Sequence, residues 1–102
     1  MSADKDGKAE SLTGQVHAGP GGAMTDEVGV ITGDLTVSTI RESGDRARIA
    51  IQYTDADEWY TLTGSPAAVP EDGLAALHET VLRDVERGGG AVTPGSRSSD
   101  GD

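Results

Sequence analysis

Between Val28 and Leu62 the apolar residues recur at every second position, and beyond Ser65-Pro66 they recur at helical spacing. This change of period constrains the fold more than any other feature, because a two-residue repeat suits only strands and a 3.6-residue repeat only a helix. Val28 and Val30, then Leu35, Val37 and Thr39, then Ile49, Ile51 and Tyr53, then Tyr60 and Leu62 alternate with polar residues. Half-buried strands look like this. Turn-forming sequences separate them: Gly33-Asp34, Ser43-Gly44-Asp45 and Asp55-Ala56-Asp57-Glu58.

The turns can be tested against one another, since a one-residue slip would send every side chain to the wrong face. A two-residue Gly33-Asp34 loop pairs Val30 with Val37, and the alternative is a bulge within one long strand. A three-residue Ser43-Gly44-Asp45 loop pairs Val37 with Ile51 and Leu35 with Tyr53, and sets Glu42 opposite Arg46. A four-residue Asp55–Glu58 loop pairs Tyr53 with Tyr60 and Ile51 with Leu62. All three turns place the same apolar set on one face.

Leu74, Leu77, His78, Val81, Leu82 and Val85 then fall within an arc of roughly 140° at 3.6 residues per turn. Pro70 suits a first helical position, Arg83 and Arg87 suit the last turns, and Gly88 suits a left-handed cap. The pattern predicts a helix over 70–87. The helix stripe and the sheet face each need a cover, and each is the obvious cover for the other. The expected fold is therefore α+β: an antiparallel β-meander of three to four strands, with one C-terminal α-helix packed on one face.

The expected domain spans 27–88. Residues 1–26 hold the run Gly19-Pro20-Gly21-Gly22 and little apolar area to offset an ordering cost of about 1–2 kcal/mol per residue. They read as a disordered arm, and 89–102 read as a disordered tail. With Phe absent and three aromatic residues in all, the core is aliphatic and thin. Domains this small are marginal alone, so a homodimer is expected.

Eighteen acids against eight bases leave a net charge of −10, and most of the excess falls within 28–88. An acidic surface repels phosphates and anionic lipid, so neither nucleic acid nor membrane is an expected partner. There is no Cys, hence no disulfide framework or thiolate chemistry. Without a secretory or spanning apolar run, the default location is the cytoplasm.

No metal site or cofactor is expected, and no catalytic residue is assigned. Asp55-Ala56-Asp57-Glu58 carries three carboxylates, but a calcium loop starting at Asp55 would need Gly and Glu where Tyr60 and Pro66 stand. The glycine runs lack the Lys-Ser/Thr context of a phosphate loop and read as linkers. No nucleophile elbow surrounds any Ser. His78, inside the helix stripe, offers two readings: a ligand-binding group in a pocket with Tyr53 and Tyr60, or a core histidine bonded to a carbonyl or hydroxyl.

The other face of the sheet differs. Alternation places Trp59 there with Thr61, Ile31, Ile40 and Arg48, among Thr, Ser and Gln residues. A low-charge face with an aromatic anchor and Arg nearby suits a protein contact. The sequence thus points to a small acidic interaction or regulatory module that self-associates around Trp59. A small-ligand domain with its pocket near His78, Tyr53 and Tyr60 is the alternative.

Overall fold

A computed structural model describes residues 10–95. Its strands are β1 (Ser11–His17), β2 (Ala23–Thr25), β3 (Gly29–Ile31), β4 (Asp34–Ser43), β5 (Arg46–Tyr53), β6 (Tyr60–Thr61) and β7 (Ala67–Ala68), followed by the helix α1 (Leu74–Arg87). Among the described residues the fold is α+β, with an antiparallel meander and a single C-terminal helix on one face. The main sheet runs β1-β4-β5-β6, with β7 also on β5, and β2-β3 form a small second sheet. That is one strand more than the expected upper count.

The central pairing follows the turn arithmetic: Val37 pairs with Ile51 and Leu35 with Tyr53. Leu35, Val37, Ile49, Ile51 and Leu62 are all fully buried in one core. From the helix, Leu74, Leu77, His78, Val81 and Val85 close the core, and Leu82 is half-buried beside them.

Several expectations are corrected. Residues 11–25 are not a disordered arm, because β1 pairs along its whole length with β4, from Ser11 opposite Ile40 to His17 opposite Asp34. β1 occupies the place expected for Val28–Val30, and Gly33-Asp34 is consequently not a hairpin loop. Instead β3 turns back onto β2, with Met24 opposite Val30. Residues 91–93 are not tail either: Ala91 and Thr93 are buried, the Ala91 carbonyl accepts from the Met24 N–H at 2.9 Å, and the Thr93 hydroxyl donates to the Leu62 carbonyl at 3.2 Å. The expected disorder of 1–9 and 96–102 lies outside the described residues.

Smaller shifts have local causes. The ladder slips between Arg41 and Ser43, so Ser43 rather than Glu42 faces Arg46, and the Glu42 carboxylate accepts instead from Arg48 at 2.9 Å. Ile51 pairs with Tyr60 and Ala50 with Thr61, two residues from the expected register that set Ile51 against Leu62. A shift of two keeps each side chain on its face, so the inward set survives. The helix begins at Leu74, since Gly73 has φ 100° and ψ 177° and cannot lie within an α-helix.

The two glycine runs are not linkers. Gly19–Gly22 and Gly88–Gly90 lie against each other, backbone on backbone. The Gly89 N–H donates to the Pro20 carbonyl at 2.7 Å, Gly90 to Gly21 at 3.0 Å and Ala91 to Gly22 at 2.9 Å. Gly19 donates to the Val85 carbonyl at 3.0 Å. A Cβ on Gly21 would lie 2.8 Å from Gly89 Cα, and one on Gly19 would lie 2.6 Å from the Arg87 carbonyl oxygen. Only glycine permits so close an approach. This clasp joins the end of α1 to the strand that opens the fold.

Candidate functional site

The face of the main sheet turned away from α1 is set by strand register alone. Its rows cross the sheet from β1 to β6. One row holds Gln15, Thr36 and Gln52, and the next holds Thr13, Ser38, Ala50 and Thr61. Continuing the β5–β6 register places Trp59 opposite Gln52, whose side-chain amide donates to the Glu58 carbonyl at 3.4 Å. A further row holds Ser11, Ile40 and Arg48. The two central rows contain no ionisable side chain, in a chain of net charge −10.

Charge appears only around this patch, and most of it is paired. Arg48 meets Glu42 at 2.9 Å. His17 Nδ1 meets the Asp34 carboxylate at 2.7 Å at one end, with both side chains about three-quarters exposed. At the β6 edge Glu27 accepts from the Thr61 N–H at 2.7 Å and the Thr61 hydroxyl at 2.8 Å. Those bonds, the backbone one foremost, hold the Glu27 carboxyl below the usual carboxylate range.

Four of the five residues expected at the contact face, Trp59, Thr61, Ile40 and Arg48, share this side of the sheet. Trp59 is 45% exposed. The hydroxyl of Thr61 is engaged by Glu27, so it offers shape rather than a free donor. Ile31 does not belong to the face: it sits in β3 and is 2% exposed within the core. β1 supplies what the sequence reading missed, namely Thr13 and Gln15. The alternation of Leu12, Gly14 and Val16 with Ser11, Thr13, Gln15 and His17 was the available signal, obscured by the glycine at its centre.

The expected pocket is not assembled. His78 Nδ1 lies 2.8 Å from the buried Thr39 hydroxyl, and its Nε2 fills the space over Gly14, where a Cβ would come within 3.2 Å. Tyr53 pairs with Leu35, four residues along β4 from Thr39 and so about 13 Å away at strand rise. Tyr53 is 41% exposed, and the Tyr60 hydroxyl donates outward to Glu58 at 3.1 Å, which raises the phenol above its ordinary value. A groove of about 490 Å³ does exist, but Pro66, Ala67, Pro70, Leu77 and Pro94 line it, and none of the three expected residues does. Among the described residues no three His, Asp or Glu side chains converge to hold a metal ion, and no helix is long and apolar enough to cross a membrane.

His78 is thus a core histidine, and its environment has a measurable consequence. Burial holds its imidazole below the ordinary 6.5, opposed weakly by the Glu79 charge. The folded chain then takes up the proton less readily than the unfolded one. Stability is retained above a pH of about 6.5 and declines as the pH falls through that value, levelling below the folded pKa. Urea midpoints at successive pH values should decline less steeply for His78→Gln than for the wild type. Parallel declines would show that His78 does not contribute.

Compared with known proteins, the chain matches no protein-family model, no curated protein and no solved structure.

Proposed function

We propose that the domain is a small protein-interaction module whose contact surface is the outer sheet face around Trp59, with a second copy or another protein as its occupant. The observation that carries this reading is the pair of uncharged rows beside an exposed Trp in an otherwise acidic chain. Desolvating charges is expensive, so contact surfaces concentrate uncharged and aromatic groups at their centres. Gln15, Gln52, Thr13 and Ser38 offer hydrogen bonds without that penalty, and Trp59 supplies area at one corner.

Trp59→Ala tests the reading. Truncating a Trp that anchors a contact typically removes about 2 kcal/mol or more, roughly thirtyfold in affinity. The variant should weaken capture of a partner protein, or any self-association made through this face, while its circular dichroism and melting curve stay those of the wild type. Unchanged sedimentation together with unchanged capture would remove the proposal.

A further inference from the structure

The main sheet has one long open edge, and its hydrogen-bonding direction can be read from two bonds. The Arg41 N–H donates to the Glu10 carbonyl at 2.8 Å, and the Ala18 N–H to the Gly33 carbonyl at 2.9 Å. In an antiparallel ladder these narrow pairs alternate with wide ones. Leu12, Gly14 and Val16 therefore direct their backbone groups at β4. Ser11, Thr13, Gln15 and His17 direct theirs away from the sheet, where no described residue receives them. The opposite edge is closed, because Asp26 donates to the Thr61 carbonyl and Thr63 to the Met24 carbonyl, both at 3.0 Å.

Exposed edges are ordinarily guarded by Lys, Pro, inward charges or bulges. Across its seven residues β1 has none of these. We infer that a second copy of this chain pairs antiparallel along the open edge of β1, making one sheet continuous across a two-fold axis at Gly14.

Three properties of the strand select its own copy as the occupant. First, centring the pairing on Gly14 gives every β1 residue a partner: Ser11 meets His17 of the other copy, Leu12 meets Val16 and Thr13 meets Gln15. The odd-numbered residues then form the hydrogen-bonded pairs, as their outward backbone groups require. Second, each face matches itself. Polar Thr13 and Gln15 meet on the outer side, and Leu12 and Val16 meet on the helix side, where both are only half-buried against the core. Leu82 is also half-buried there, with its Cδ1 3.2 Å from where a Gly14 Cβ would stand. With no side chain at Gly14, the Leu82 side chains of two copies can meet across the axis. Third, β1 itself carries no acid, so two chains of charge −10 set no carboxylate opposite another along the paired strands. The nearest, Asp34 and Glu10, stand at the ends and are paired with His17 and Arg41. The dimer also joins the two neutral outer faces edge to edge, which extends the proposed contact surface without covering Trp59.

Sedimentation equilibrium of the full chain, with two edge variants and one face variant, tests the pairing. Thr13→Pro removes an outward N–H and leaves the β4 ladder intact. Gln15→Lys places a charge on an exposed edge position without touching the core. The wild type should sediment at twice the 10.4 kDa chain mass. Both edge variants should raise the dimer dissociation constant at least about tenfold with an unchanged circular dichroism spectrum, and Trp59→Ala should remain dimeric. Amide exchange at Thr13, Gln15 and His17 should slow as wild-type concentration rises. A wild type that stays monomeric at its highest soluble concentration would overturn the inference, as would a dimer indifferent to Gln15→Lys. Dissociation by Trp59→Ala alone would also overturn it, by placing the self-contact on the outer face. Loss of partner capture in Trp59→Ala bears on the proposed function separately, whatever the edge variants do.

Discussion

A chain that begins at Glu27 is expected to show no cooperative unfolding transition, although composition marks everything before it as dispensable. Removing β1 strips β4 of its partner from Asp34 to Ile40 and takes Leu12, Val16 and Ala18 from the core. Removing β2 takes the fully buried Ala23 and leaves β3 unpaired. It also removes the Met24 carbonyl that receives the Thr63 N–H, and the Pro20, Gly21 and Gly22 carbonyls that receive the segment after α1. A large apolar side chain contributes roughly 1.5–3 kcal/mol when fully buried. Counting the half-buried ones at half value and adding the lost ladder gives a loss on the order of 5 kcal/mol. The whole net stability of a small domain is about 5–15 kcal/mol. Urea titration followed by circular dichroism is the measurement, and a sigmoidal transition with the wild-type slope would contradict the role assigned to β1.

The second large effect is expected from a single methyl group. Gly88 ends α1 at φ 83° and ψ −148°, a region essentially closed to other residues. A Cβ there would overlap the Pro20 carbonyl oxygen and stand 2.5 Å from the Gly19 carbonyl carbon. Neither group is the end of a flexible side chain, so relief requires the clasp to open. Backbone strain of about 1–3 kcal/mol and overpacking of a similar size add together. Gly88→Ala should therefore lose about 3 kcal/mol or more in urea denaturation. Gly44→Ala is the control, since a Cβ at Gly44 meets nothing within 4 Å. If the two variants are equally stable, the glycine clasp does not hold the fold together.

These two expectations fall where sequence and structure part. The central hairpin was legible away from its turn: Val37 opposite Ile51 and Leu35 opposite Tyr53 follow from the count across Ser43–Asp45, whereas the slip that sets Ser43 rather than Glu42 against Arg46 does not. The helix stripe was legible from Leu74 to Val85, and its start was displaced only by the backbone of Gly73. The outer face was legible in part, because alternation alone puts Trp59, Thr61, Ile40 and Arg48 on one side. Ile31 was misplaced with them because its strand belongs to the small second sheet, where Ala23 lies opposite it.

What the sequence determined by itself is the set of features that neighbours along the chain decide. A turn fixes the register of its own two strands, and a 3.6-residue repeat fixes its own helical face. Only the tertiary structure decided which distant segment takes the remaining edge of β4. Leu12 and Val16 flank a glycine, and that pattern names no partner. The tertiary structure likewise decided that two glycine runs clasp each other. Glycine serves a flexible linker and a close backbone approach equally well, and the difference lies in what stands opposite. For Gly19–Gly22 that is Gly88–Gly90, a partner that only the folded chain brings within reach.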